Sequence, residues 1–280
     1  MTLQENSVHL NKDPTYHSWK IWIVFWALLI ATILTTWLAG GWLFSFSLVL
    51  ILGTHEFGHY WASRKNRVKA SLPFFVPAPP AFIAGTFGAF IHIKDPIPNR
   101  RVLMEIGATG PIAGFSVALP VLIIGLFLSE IQPGGLVYGA TFGNSFILGL
   151  LSQLILGVDP SSPDVNIVLH PVAFAGWIGM LITALNLLPI GQLDGGHITY
   201  ALMKEKYIFF SGIFFLTLLV LGFFWSGWWF WAGMVFFLGF RSAPVVDDAL
   251  ELENKHVLLG WCSIIIFLAT FIPIPFSMSI

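Results

Sequence analysis

Residues 43–63, LFSFSLVLILGTHEFGHYWAS, form an apolar run that closes on Thr54-His55-Glu56-Phe57-Gly58-His59-Tyr60. The run has the ~20 residues a helix needs to cross a ~30 Å hydrocarbon layer. A strand reading fails, because an open sheet leaves its backbone unsatisfied in lipid and the alternation of a membrane barrel is absent. On a helix, His55 and His59 stand one turn apart on a shared face, so both imidazoles can reach one ion. Glu56, beside them, can orient and deprotonate a water. Ionisable groups at membrane depth are costly and usually functional. The plain structural alternative is a pair of buried histidines hydrogen-bonded within a helix bundle.

The rest of the chain extends the membrane reading. Only 10% of its 280 residues are charged, against about 25% in soluble domains, and 56% are hydrophobic. A formal charge of −1 leaves no basic face, which excludes a nucleic-acid partner. The lone Cys262 excludes an internal disulfide and a cysteine-rich metal site, so a metal here must use histidine and carboxylate. Further apolar runs at 20–40, 102–128, 171–190, 207–224 and 257–273, with a shorter Trp/Phe-rich run at 228–240, bring the total to about seven transmembrane helices. The expected fold class is an all-α polytopic membrane protein with a small membrane-associated β-hairpin or strand region, in one domain spanning 1–280.

Lys and Arg in short loops stay cytoplasmic. Lys12 and Lys20 precede the first run, Arg64 to Arg101 lie between the second and third, Lys204 and Lys206 follow the fourth, and Arg241 and Lys255 precede the last. All 13 basic residues thus fall on one side, which places the N-terminus in the cytoplasm and the C-terminus outside, in a plasma or inner membrane. Glu5 and Asp13 with no Arg among the first 19 residues argue against an organellar transit peptide, and the first run reads as a retained anchor. The inside segment 64–101 carries Pro73, Pro77, Pro79 and Pro80, then Gly85–Ile93, whose partial alternation predicts a strand or hairpin. In the outside segment 129–170, the apolar stretch 146–156 is too short to span and predicts an interfacial or re-entrant helix.

A catalytic zinc takes three protein ligands and leaves one position open. The fourth apolar run ends Asn186-Leu187-Leu188-Pro189-Ile190-Gly191-Gln192-Leu193-Asp194-Gly195-Gly196-His197. Pro189 and the glycines break the helix, and irregular backbone at membrane depth belongs where it packs in protein or lines a cavity. Asp194 is the leading third ligand, His197 its rival, and a helix-capping role for Asp194 the bland reading. Runs two and four end on the same side, so the two motifs can meet.

HEFGH on one run and N-x-x-P-x-x-x-L-D-G on a later one resemble the site-2 protease family of intramembrane zinc metalloproteases, and Gly110-Pro111-Ile112-Ala113-Gly114 is similar to a further signature of that family. The resemblance covers about 52–114 and 171–203. It implies that His55, His59 and Asp194 bind Zn2+, that Glu56 is the catalytic base, and that Asn186 helps hold the substrate or its oxyanion. The expected core is 43–206, with the first run and runs five to seven accessory. Many members insert a PDZ domain between the metal motifs; here there is no room for one, and the extra residues fall in 129–170.

The reaction this implies is hydrolysis of a peptide bond in or near a transmembrane segment of a membrane-protein substrate, with lipid around the site and the active site toward the cytoplasm. A helical amide must become extended before water can attack it. Gly85, Thr86, Phe87, Gly88, Ala89 and Phe90 are expected to bind the substrate by strand addition, the two glycines allowing close backbone approach; the alternative is a re-entrant hairpin that only packs against the bundle. A membrane metal-ion transporter and a non-catalytic zinc-binding scaffold are the competing functions, although no second copy of either motif gives the internal symmetry transporters often have. His92 and His170 read as loop or interfacial residues, Glu105 as a boundary residue, Trp225–Trp231 as an interfacial belt, and Asp247, Asp248, Glu251 and Glu253 as a solvated acidic loop.

Overall fold

A computed structural model of the protein describes residues 18–79, 82–134, 139–240 and 242–279. Glu5, Lys12, Asp13, Pro80 and Arg241, used above, lie outside the described residues. The first two apolar runs form one helix by hydrogen bonding, α1 (Ser18–Lys65), broken at Gly41 with φ 82° and ψ 177°. At that glycine the chain reverses. Ser45 Oγ lies 3.1 Å from the Ile33 carbonyl and 2.7 Å from Thr36 Oγ1, whereas residues twelve apart on a straight helix stand about 18 Å apart. The two runs are therefore antiparallel arms.

Strands β1 (Phe74–Pro77) and β2 (Thr86–Phe90) form the antiparallel hairpin expected over this segment, in the register Phe75 to Ala89. Gly85 turns at φ 64° with its backbone against Thr35, where a Cβ would stand 2.5 Å from the Thr35 carbonyl oxygen. The hairpin tip is thereby seated against the first arm of α1. β3 (Ile97–Asn99) leads into α2 (Arg100–Phe127), capped by the Asn99 side chain, which accepts from the Arg101 and Val102 amides.

At the far end of α2 come β4 (Glu130–Pro133), β5 (Gly139–Phe142), α3 (Phe146–Leu156) and β6 (Val165–Val168). α3 is the short helix expected at 146–156. α4 (Pro171–Asn186) follows, capped by the His170 side chain, then α5 (Asp194–Met203), a 3₁₀ turn at Lys204–Lys206, α6 (Tyr207–Leu221), α7 (Gly227–Leu238), β7 (Val245–Asp247), α8 (Asn254–Thr270) and β8 (Phe276–Ser279). β4 pairs with β6, β5 with β8, and β3 in parallel with β7.

Two helices, Trp19–Lys65 and Arg100–Phe127, are long and apolar enough to cross a membrane. Three of the other apolar runs give shorter helices than their sequence extents, α4 with 16 residues, α6 with 15 and α7 with 12, while α8 keeps 17 residues but starts and ends three residues earlier than its run. For α4 the cause is local, since Pro189 biases the residue before it away from helix and the chain leaves the helix after Asn186.

The second arm of α1, α2 and α4 make the main core: Phe44, Leu48 and Ile51 pack on Ala118, Leu122 and Leu126 and on Ala173, Trp177 and Met180. Small residues bring these backbones close, as small residues do between membrane helices; a Cβ at Gly125 would fall 2.1 Å from the Ala173 amide nitrogen.

Two expectations, for Glu105 and for Trp228 in the aromatic belt, need correction. Glu105 is buried, accepting from Lys65 Nζ at 3.0 Å and Asn66 Nδ2 at 2.9 Å, with His256 Nε2 at 3.5 Å. The acidic loop is exposed at Asp247, Asp248, Glu251 and Glu253, as expected, and it also carries partners: buried Arg100 donates to the Ala201 and Leu250 carbonyls and sits 3.1 Å from Asp248, and Arg101 pairs with Glu253. A hydrogen bond from Lys255 holds the Glu253 carboxyl below its ordinary range. Trp228 is fully buried, with Nε1 donating to the Pro273 carbonyl at 2.6 Å, and so belongs to the core beside α8.

Candidate metal centre

The HEFGH turn lies near the end of the second arm of α1, with His55, Glu56 and His59 all buried and facing α2. Room for the imidazoles comes from one face of α2. A Cβ at Gly110 would stand 2.0 Å from His59 Nε2, and one at Gly114 would stand 2.9 Å from His55 Nδ1. The signature at 110–114 is thus a cradle for the two rings. At Gly58 a Cβ would meet the Thr109 carbonyl oxygen at 2.5 Å, so the two helices touch through backbone there.

His59 Nδ1 lies 2.7 Å from the Ile106 carbonyl oxygen. A carbonyl only accepts, so Nδ1 carries the hydrogen and the neutral ring turns an unprotonated Nε2 inward, the tautomer a metal-binding histidine needs. After α4, the Leu187–Leu193 turn brings Asp194 in as the first residue of α5. Leu193 holds the capping position without a side-chain cap bond. The Asp194 carboxylate instead reaches both histidines, with Oδ2 3.3 Å from His55 Nε2 and 3.2 Å from His59 Nε2. The two Nε2 atoms are 3.1 Å apart.

These three atoms form a nearly equilateral triangle. Ligands on a tetrahedral ion at the usual Zn–N and Zn–O lengths stand about 3.3 Å apart, so the edges match one face of a zinc tetrahedron and leave its fourth corner open. Two imidazoles and a carboxylate are also a donor set zinc takes in catalytic sites. Among the described residues this is the one group of three such side chains able to hold an ion.

The triangle borders a cavity of about 190 Å3, also lined by Glu56, Asn186, Gln192, His197 and the Ala89–Ile91 end of the hairpin. Asn186 Nδ2 is 3.4 Å from His55 Nε2. His197 stands apart from the triangle, its Nδ1 2.8 Å from Ser242 Oγ. The Ile91 amide is directed at the Glu56 carboxylate. Of the expected strand-addition residues, Ala89 and Phe90 reach this cavity, while Gly85 and Thr86 sit at the far end of the hairpin. Ser242 and Ile91 were not singled out from sequence. Neither belongs to a motif, and only the folded backbone brings them here.

Residues 43–227 match the model of Peptidase family M50. The chain belongs to this family. The M50 chain is 34% identical over 231 residues to "Probable zinc metalloprotease EGY2, chloroplastic" of Oryza sativa subsp. indica, and 33% identical over 231 residues to its Arabidopsis thaliana counterpart; each alignment covers 81% of this chain and 41% of the relative. It is also 36% identical over 173 residues to "Probable zinc metalloprotease EGY1, chloroplastic" of Oryza sativa subsp. japonica, covering 60% of this chain and 29% of that one. The M50 chain therefore spans about two fifths of the length of the first relatives. No solved structure matches.

The triangle makes a separable prediction for purified M50 chain. Asp194→Ala should reduce bound zinc at least about tenfold in affinity, because one of three ligands is gone, whereas His197→Ala should keep it. Elemental analysis after dialysis against a weak chelator decides it, and zinc loss confined to His197→Ala would exchange the two roles.

Proposed function

We propose that this chain is an intramembrane zinc metalloprotease that hydrolyses a peptide bond in or near a transmembrane segment of a membrane-protein substrate. The observation that carries the reading is the triangle of His55, His59 and Asp194 beside buried Glu56 in one cavity. Bound there, zinc supplies Lewis-acid polarisation of the scissile carbonyl and lowers the pKa of water. Glu56 takes the proton of the attacking water and passes it to the leaving nitrogen. The Asn186 amide donates to the carbonyl oxygen as charge builds on it.

The substrate backbone is held extended by the outer edge of β2. Parity supports this assignment. His92 N donates to Ser71 Oγ and Lys94 N to the Lys69 carbonyl, so even-numbered amides face the β1 side. Amides two residues apart share an edge in regular strand, so Ala89 and Ile91 face the other way, Ile91 toward Glu56, and the strand-addition reading extends this edge across Gly88, which turns at φ 103°, to Phe87. In this reading the core is 43–206, about seven spans cross the bilayer, and the N-terminus and metal side share the basic, cytoplasmic-type face. The relatives' names are chloroplastic, which makes a chloroplast membrane as suitable a home as a plasma or inner membrane.

Three measurements test these parts. Glu56→Gln should lower chelator-sensitive cleavage of a single-span substrate by about 10³-fold or more with zinc content unchanged; full activity, or zinc lost together with activity, removes Glu56 as the base. In a Cys262→Ser background, Lys69→Cys and Ser161→Cys should label from opposite sides of a sealed vesicle. Same-side labelling breaks the topology. Phe87→Pro and Ala89→Pro should each cut turnover about tenfold or more with zinc and detergent stability retained, whereas Thr86→Pro, at a buried position, should act by destabilising the hairpin. Wild-type turnover in both edge variants rules out strand addition.

A further inference from the structure

His197 lines the metal cavity without joining the ligand triangle. It stands one turn along α5 from Asp194, and α2 makes room for it as it does for the ligands: a Cβ at Gly107 would lie 3.2 Å from the His197 Cβ. Gly107, Gly110 and Gly114 thus accommodate His197, His59 and His55 in succession.

What fixes the ring comes from outside the family-matched segment, which ends at residue 227. Ser242 Oγ, in the connection from α7 to α8, sits 2.8 Å from His197 Nδ1. That connection is anchored on both sides of Ser242. Before it, the Gly239 carbonyl oxygen lies 2.6 Å from where Gly191 would carry a Cβ, against the turn that delivers Asp194. After it, Val245 pairs with Ile97, and Asp248 and the Leu250 carbonyl are held by Arg100. Among the described residues, Nδ1 is the one acceptor within hydrogen-bond distance of the Ser242 side chain. The 2.8 Å contact fits either direction of donation; with Ser242 donating to Nδ1, the assignment taken here, the neutral ring carries its hydrogen on Nε2, on the ring edge turned away from Ser242. Such a nitrogen is a donor with no lone pair for a metal, consistent with its place outside the triangle.

We propose that His197 is a further catalytic residue, donating from Nε2–H to the scissile carbonyl oxygen as it becomes an oxyanion, and that Ser242 is a positioning residue that fixes this tautomer. This deepens the metalloprotease reading and rests on it. The proton stays on Nε2 throughout; the bond only strengthens as charge develops on the oxygen. It gives the α7–α8 connection a chemical task, because Ser242 hydrogen-bonds from it to a residue of the metal cavity.

The test uses the full chain purified in detergent with zinc loaded. Cleavage of a single-span substrate by the wild type, abolished by chelator, comes first; its failure overturns the metalloprotease reading and this inference with it. Given wild-type cleavage, His197→Phe should lower kcat by about 10²-fold or more with KM changed less than about threefold and zinc retained. A phosphinic peptide, which mimics the tetrahedral oxyanion, should lose affinity by a comparable factor, while a hydroxamate of the same peptide sequence should not. Ser242→Ala should lower kcat about tenfold and Ser242→Thr should restore it, giving a readout that does not depend on His197→Phe folding. Wild-type kcat in His197→Phe, zinc loss in that variant, equal weakening of both inhibitors, or failure of Ser242→Thr to recover overturns the proposal.

Discussion

The contact on which the rest of the site depends is the hydrogen bond from His59 Nδ1 to the Ile106 carbonyl, made where α1 and α2 touch through backbone. It needs three things together. Gly58 must lack a side chain so that α2 can approach, Gly110 must leave space for the imidazole, and Thr109 Oγ1, 2.7 Å from the Glu105 carbonyl of its own helix, lies at the crossing 3.1 Å from the Gly58 carbonyl. The bond then fixes the ring's tautomer and aims Nε2 at the point where His55 and Asp194 converge. Any side chain at Gly58 or Gly110 would part the helices or expel the ring, and a third ligand on α5 would have no partner to complete. The family signature on α2 is thus an instruction about spacing.

Charge explains why this crossing is a site rather than a structural joint. Glu56 and Asp194 are two carboxylates lining one cavity. Two neutral imidazoles do not offset them. Three basic residues at this end of α2 are engaged by other acids: Lys65 by Glu105, Arg100 by Asp248 and Arg101 by Glu253. A dication at the triangle is the economical neutralisation of such a pair, and it lets Glu56 ionise while the Asp194 oxygen is committed to the metal. The surrounding ion pairs hold α1, α2, α8 and the α7–α8 connection together without placing a competing cation in the cavity.

Much of this was legible in the sequence because the relevant rules are local. The spacing of His55 and His59 on a helix, the break at Pro189 and the partial alternation at Gly85–Ile93 each report their own conformation, and each predicted element is present. What was not legible depends on which distant backbone comes near. The reading of Glu105 as a boundary residue failed because Lys65, Asn66 and His256 converge on it only after α1 and α8 have docked on α2. The arginine contacts of the exposed acidic loop were hidden for the same reason, since Arg100 is about 150 residues from its partners there and no sequence period links them. Helix lengths were overestimated at α4 because apolar composition continues through Leu187 and Leu188 after the helical hydrogen bonding has stopped.

The dimensions of the cavity constrain what the proposed reaction can select. An α-helix with its side chains is about 10 Å across, whereas the space beside the triangle is about 190 Å3, enough for a peptide unit with a water and too small for a turn of helix. On the proposed function, a transmembrane segment would have to unwind before its carbonyl entered this cavity, and the free energy of unwinding in lipid, where each unpaired amide costs several kcal/mol, would become a large part of the barrier to binding. In the strand-addition reading proposed above, the outer edge of β2 would offer replacement hydrogen bonds at Phe87 and Ala89, indifferent to the side chains they pair with. Selection by this core then falls on how readily a segment leaves the helix. Glycine, proline or a polar residue near the scissile bond matters more than a specific side chain, and a finer preference has to come from surfaces away from the metal.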